Sequence, residues 1–347
     1  MKEERPDKIH YYNGKKVMVA GGTGTIGIPL VALLKQSGAN VEVVSLDSEE
    51  RARAALPSGV AFRRLDLTSY QNCCDAVSDT DIVVNLAAIK GNSQKGMKSA
   101  AEAFMFFIRC NTNLMDAAYK RGITRYLYVS SICAYPNIAV REEDQLWNGP
   151  PQANDRYTGI AKRTGEAQAE VFYEQYGWDA VRIARPSNVY GPFDDFNPLT
   201  AQVIPSLIAK FNDKSSDEVI ISGDGSAQRD FIYADDVARG LLQTLAFAPA
   251  NCPINLGSGK GESIKEIAKI INDLLVRRKK IVWNIEAPTG DTIRVLSTKR
   301  AKEIIGFEPQ INLQSGIKRT LAWFQKNKDR ALSRGFELHG VPTIESN

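Results

Sequence analysis

Short apolar runs alternate with longer amphipathic stretches through the first half of the chain. Lys16–Ala20, Val41–Ser45, Phe62–Leu65, Ile82–Leu86, Tyr126–Ser130 and Ala180–Ala184 read as strands. Ile28–Ser37, Ala101–Arg121 and Ile160–Tyr176 read as helices between them. The strands lack the alternation of polar residues that a wet face would impose, so both faces are buried. Strands alternating with helices predict parallel pairing, because each helix returns the chain to its starting edge. Beyond Pro186 the texture changes, and turns such as Tyr190-Gly191-Pro192 and Gly223-Asp224-Gly225 separate isolated helices and short strands. The pattern predicts an α/β fold with a doubly wound parallel sheet over residues 1–185 and a late element around 230–257. A smaller second α/β domain over 186–335 is interleaved with it.

Composition narrows the chemistry. The 347 residues are 43% hydrophobic and 24% charged, with a net charge of +4, as in an ordinary soluble enzyme. No basic stripe with interleaved aromatics occurs, so nucleic acid is not an expected partner. The cationic run Arg277-Arg278-Lys279-Lys280 follows a helical pattern and reads as a solvated end. The two histidines, His10 and His339, lie near opposite termini. This speaks against Ser-His-Asp and Cys-His catalysis and excludes a multi-histidine metal site, so no metal is expected. Five cysteines without CxxC spacing point to reduced thiols. A polar amino-terminal stretch and the lack of any apolar run of roughly 18 residues predict a soluble, cytoplasmic chain with no membrane partner.

One segment carries a specific signal. Val17-Met18-Val19-Ala20 runs into Gly21-Gly22-Thr23-Gly24-Thr25-Ile26-Gly27 and then a helical pattern. Gly21, Gly24 and Gly27 stand where backbone must turn tightly and approach a pyrophosphate. The amino end of the next helix offers unpaired N–H groups and partial positive charge to that anion. Asp47 ends the second strand twenty residues after Gly27, where an acid accepts hydrogen bonds from ribose hydroxyls. A carboxylate there repels a 2′-phosphate and so favours NAD, while Arg51 and Arg53 soften that preference. Asp66, before Leu67 at the end of the third strand, is placed to meet the adenine edge.

The motifs GGTGTIG, RRLDLTS, VVNLAAIKG, YLYVSSICAYP, GIAKRTGE, RIARPSNVYGPF, GDGSAQRDFIYADDVA and GDTIRV…GFEP follow one another in order. Over roughly residues 15 to 325 the chain thereby resembles extended short-chain dehydrogenase/reductases acting on nucleotide-diphosphate sugars. The resemblance implies a Rossmann fold and NAD bound by Gly21, Gly24, Thr25, Ile26, Gly27, Asp47, Asp66, Leu67, Ala87 and Lys162. It also implies a Ser/Thr, Tyr and Lys constellation, in which lysine lowers the phenol's pKa and the tyrosinate exchanges the sugar hydroxyl proton. Ser131 matches the serine and Lys162 the lysine. In Tyr157-Thr158-Gly159-Ile160-Ala161-Lys162 the position four before the lysine is Thr158, and Tyr157 lies five before it. Either Thr158 fills the tyrosine slot, or Tyr157 precedes the first full turn and irregular backbone brings its phenol in.

Cys133 falls two before Tyr135, as in the SSxCxYP pattern of GDP-mannose 3,5-epimerases, where cysteine is an acid/base. A dehydratase of the family would carry glutamate there. Lys90 matches a loop beside the nicotinamide ribose and sugar. Asn188, Arg229 and Arg294 match residues that hold the sugar diphosphate, because a planar guanidinium grips phosphate oxygens two at a time. The resemblance therefore implies an NAD-dependent epimerase of a GDP- or UDP-linked sugar working through a 4-keto intermediate. A dehydrogenase or reductase of the same group, or a weakly catalytic binding protein, is the alternative. A homodimer through the helices containing Ala101–Arg121 and Ile160–Tyr176 is expected.

Overall fold

The computed structural model describes residues 10–89, 100–198, 200–287 and 292–332. Seven strands make the main sheet: β1 (Lys16–Ala20), β2 (Asn40–Ser45), β3 (Ala61–Arg64), β4 (Ile82–Asn85), β5 (Arg125–Val129), β6 (Val181–Pro186) and β7 (Ile254–Leu256). Their order is β7-β6-β5-β4-β1-β2-β3, and every neighbouring pair is parallel. All carboxyl ends therefore lie along one edge. The chain leaves β1 toward β2 on one side and returns through β4 on the other. That reversal is where an open parallel sheet leaves a crevice for ligands.

Burial explains the strand pattern. On β1, Val17 and Val19 pack with Leu30, Val31 and Leu34 of α1 (Gly27–Gln36) and with Val237, Leu241 and Leu245 of α6 (Ala234–Phe247). Met18 and Ala20 point the other way. They meet Cys73 and Val77 of α3 (Tyr70–Val77) and Cys110, Leu114 and Met115 of α4 (Ala100–Arg121). Helix α5 (Arg156–Tyr176) packs beside α4 on that face. A short α2 (Glu49–Arg53) follows β2, capped by Ser48. The six predicted strands and three predicted helices are present with ends shifted by one or two residues, except that α5 begins at Arg156, four residues earlier than the periodicity suggested. Among the described residues no helix is long and apolar enough to cross a membrane.

A second core gathers Ile204, Leu207, Ile208, Val219, Ile221, Ile267, Ile271, Ile317, Leu321 and Phe324 from the later segments. Beside it, four short strands pair in the order Glu262–Ser263, Gln228–Arg229, Ile293–Leu296 and Val140–Arg141. Strand β7, although late in sequence, belongs to the main sheet, and the equally late helix α6 packs on one face of it.

A buried ion pair ties β6 to α5. Arg185 Nη2 and Nε donate to both Glu166 oxygens at 2.6 to 3.2 Å, and Nη1 donates to the Tyr135 hydroxyl and the Glu143 carbonyl at 2.7 Å. Tyr135 donates in turn to Asn255 Oδ1 at 2.8 Å. Removing one member strands a buried charge, which costs about 3–5 kcal/mol. Glu166→Ala is expected to lose that much in urea unfolding followed by circular dichroism, whereas an exposed substitution such as Glu174→Ala stays within about 0.5 kcal/mol.

Candidate active site

The glycine turn is dictated by its neighbours. Gly21 has φ +74°, its N–H donates to the Val44 carbonyl at 2.8 Å, and a Cβ there would lie 2.9 Å from the Leu86 carbonyl. A Cβ on Gly27 would stand 2.5 Å from the Gly22 backbone. Gly24 differs, for the nearest protein atom to a Cβ there is 3.4 Å away, an ordinary contact. The protein's own packing leaves that position room for a side chain, so contacts within the chain do not require this glycine. Ile26 occupies the N-cap position of α1, and no side-chain hydrogen bond closes that helix end. Thr25 is buried beneath the turn, its hydroxyl donating to Asp194 Oδ1 and the Phe193 carbonyl at 3.4 Å.

The other cofactor candidates fall along the same edge. Asp47 follows β2 and pairs with Arg51 at 3.5 Å, while its N–H donates to Ser45 Oγ. Arg53 turns away to Glu49 and the Val60 carbonyl. Asp66 Oδ1 accepts from the Thr68 N–H and hydroxyl, closing the turn after β3, and the next residue, Leu67, is buried. Ala87 is buried just past β4, its N–H donating to Asn85 Oδ1 at 3.1 Å. Lys90 lies outside the described residues.

Lys162 is seven percent exposed. Its Nζ donates to the Val129 carbonyl at 2.8 Å and lies over the rings of Phe107 and Tyr128. Burial pulls its pKa below the ordinary lysine value. Because α5 begins at Arg156, the helix is in force at Tyr157, and five residues turn it about 140° from Lys162. Tyr157 is 54% exposed, beside Arg156. The irregular backbone that would bring its phenol inward does not form. Thr158, half-buried and four residues before Lys162, shares the lysine's face.

The first turn of α5 meets the turn after β5. Ser131 Oγ accepts from the Cys133 N–H at 3.2 Å and starts a short 3-10 helix over Ile132–Ala134. A Cβ on Gly159 would overlap the Cys133 carbonyl and the Pro151 ring, so this glycine lets α5 close onto the turn. Burial, reinforced by the Asp155 charge, pushes the Cys133 thiol up to about 11, against the pull of the Ser131 hydrogen bond, Arg294 and Lys162. Cys133 is therefore a thiol at neutral pH.

Arg229 and Arg294 are register partners on adjacent parallel strands, which sets their Cα atoms about 4.8 Å apart. Arg294 Nη1 donates to Asp155 Oδ2 at 2.7 Å. Arg294 Nε and Ser130 Oγ are buried without hydrogen-bond partners, both near this edge. Asn188 Nδ2 donates to the Asp230 carbonyl at 2.7 Å and so anchors its own strand.

Residues 17–257 match the NAD dependent epimerase/dehydratase family. The chain belongs to that family. It is 32% identical over 323 residues to dTDP-4-dehydro-6-deoxy-D-allose reductase of Streptomyces bikiniensis, covering 90% of this chain and 97% of the relative. It is 27% identical over 319 residues to GDP-L-fucose synthase 1 of Arabidopsis thaliana, covering 90% and 94%. Of solved structures, an epimerase from Methanothermobacter thermautotrophicus superposes with a TM-score of 0.82 at 25% identity, over 94% of this chain and 96% of that one.

The dinucleotide that the family's name implies fits the residues at the turn: a Gly24 with room above it, an uncapped α1 and a carboxylate after β2. Family motifs did not announce two supports. Asp230, fully buried, accepts from Ser187, Ser258, the Gly259 N–H and the Leu296 N–H, locking the strands of Arg229 and Arg294 together. Asn85 and Asn111 form a buried chain with Tyr126 and Tyr128 under Lys162.

Gly24→Ala is expected to fold with a Tm within about 2 °C of the native protein and to bind NAD at least about tenfold more weakly by calorimetry. For Cys133 a raised folded pKa means that the thiol's contribution to stability is full below the ordinary value of about 9.0 and is lost as pH rises through about 11. Iodoacetamide labelling of Cys133, followed by peptide mass spectrometry, should still be climbing between pH 9 and 11. A plateau by pH 9 contradicts the burial of that thiol.

Proposed function

We propose that this protein is an NAD-dependent epimerase of a nucleotide-diphosphate sugar, acting through a transient ketone at the sugar's C4. The observation that carries this reading is the close approach of α5 at Gly159 to the Cys133 carbonyl, with Lys162 Nζ on the Val129 carbonyl, at the edge shared with the glycine turn. When bound, the nicotinamide supplies a hydride acceptor and returns the hydride. Asp47, already holding Arg51, sets a negative charge where NADP would carry its 2′-phosphate, which supports NAD.

The chain's own residues divide the remaining work. Thr158 and Ser131 are the hydroxyls that hold the C4 hydroxyl oxygen, and Lys162, its pKa lowered by burial, takes that hydroxyl's proton as hydride leaves C4 and gives it back when hydride returns. A threonine hydroxyl does not ionise near neutral pH, so it orients the oxygen rather than acting as base. Cys133 exchanges a proton with a carbon acidified by the neighbouring ketone: having lost its own proton to water, the thiolate takes the carbon's proton, and the thiol so formed returns it to the other face once the ketosugar has turned over. Asn188, Arg229 and Arg294 face the diphosphate, with GDP or UDP as its nucleoside diphosphate. Exposed Met105 on α4 and Val171, Tyr173 and Tyr176 on α5 support a homodimer through these helices.

A second reading, reduction of a keto sugar, is favoured by the 32% identity to a reductase. Incubation with NAD and a panel of GDP- and UDP-hexoses in heavy water separates the two. A new isomer is the expected outcome, whereas consumption of NADH with a 4-keto sugar and no isomer supports the second. Neither product refutes both. Thr158→Tyr, which restores a phenol on the Lys162 face, is expected to raise turnover about tenfold, equivalent to about 1.4 kcal/mol in the barrier. Tyr157→Phe changes a solvent-facing ring and should alter turnover less than about twofold.

A further inference from the structure

Arg294 is already engaged by an anion of the chain itself. Its Nη1 donates to Asp155 Oδ2 at 2.7 Å, and the two side chains are only 12% and 27% exposed. Asp155 immediately precedes α5 yet makes no capping hydrogen bond to that helix's first turn. The carboxylate is therefore held by Arg294 and not by the helix. On the same guanidinium, Nε is buried without a hydrogen-bond partner, and Arg229 stands beside it in register on the next strand. An oxyanion gripped end-on by both Nη groups of Arg294 needs the Nη1 donor that Asp155 holds, so it must displace that carboxylate.

Resting on the reading of Arg294 as a diphosphate ligand, we propose that Asp155 competes internally for this guanidinium, so that a sugar nucleotide binds by exchanging its diphosphate for the Asp155 carboxylate. No covalent bond changes in the exchange. The released carboxylate stays at the amino end of α5, where the helix's partial positive charge favours it. That end also carries Thr158 and adjoins Cys133, whose thiol senses both Asp155 and Arg294. Asp155 is thus a positioning residue. It couples the arrival of the diphosphate, on the strand side, to the charge around the thiol on the helix side.

The test is calorimetric titration of the full chain, saturated with NAD, using GDP and UDP as probes. Asp155→Asn is expected to bind one or both about tenfold more tightly than the native protein, since the competitor's charge is gone. Asp155→Ser, a shorter substitution that also removes the charge, should show the same gain and covers failure of the first variant to fold. Arg294→Gln should bind about tenfold more weakly, and Asp155→Asn added to it should gain nothing. If Asp155 only held the structure together, its loss would weaken binding or leave it unchanged, and either result overturns the exchange. With Arg294→Gln still weakened, that failure leaves the diphosphate reading intact. An Arg294→Gln variant that binds like the native protein overturns the diphosphate reading itself, as does a native protein and Asp155→Asn that both ignore GDP and UDP.

Discussion

The first turn of α5 lies directly against the Cys133 carbonyl, and no side chain larger than hydrogen fits between them. Much of the site depends on this contact. It sets where the helix begins, hence which of Tyr157 and Thr158 faces inward, and how far along the axis Lys162 comes to reach the Val129 carbonyl. The contact is held from behind by the Arg185–Glu166 pair and the Tyr135–Asn255 hydrogen bond, which fasten α5, β6 and the Ser131–Tyr135 turn into one block. Burying those polar groups contributes little net stability beyond their mutual pairing, but it leaves few alternative registers for the helix.

Parallel pairing does the rest. With every strand of the main sheet ending along one edge, the glycine turn after β1, Ala87 after β4 and Ser131 after β5 are neighbours although they are far apart in sequence. The arginines come from a different layer. Their strands are short and near the rim, and they are aligned by Asp230, whose desolvated carboxylate is stabilised by hydrogen bonds from Ser258, Leu296 and Ser187. A buried acid so fully satisfied acts as a pin.

The main sheet was legible because both-face burial leaves an uninterrupted apolar run, and Val17 with Val19 against Met18 with Ala20 shows the two faces that such a run must fill. The glycine turn was legible for a related reason, since backbone contacts as close as that at Gly27 admit one residue type. The start of α5 was not legible. Residues Arg156 to Gly159 carry no apolar periodicity, and what extends the helix through them is packing against Pro151 and Cys133, supplied from elsewhere in the chain. Asp155 and Asp230 escaped for the same reason: a lone acid signals nothing until its partners, here Arg294, Ser258 and Leu296, are brought beside it. Short pairs such as Gln228–Arg229 lie below the length at which a strand pattern can be read.

The central claim is that the sheet edge carrying the glycine turn and the Lys162 face is one reaction centre, across which hydride passes between a sugar and a nicotinamide. The most direct test is a single turnover with a nucleotide-diphosphate hexose deuterated at C4, quenched in acid and analysed for label in the nicotinamide. The account predicts deuterium on the nicotinamide ring during turnover. A sugar that is converted while its C4 label never visits the nicotinamide would contradict it.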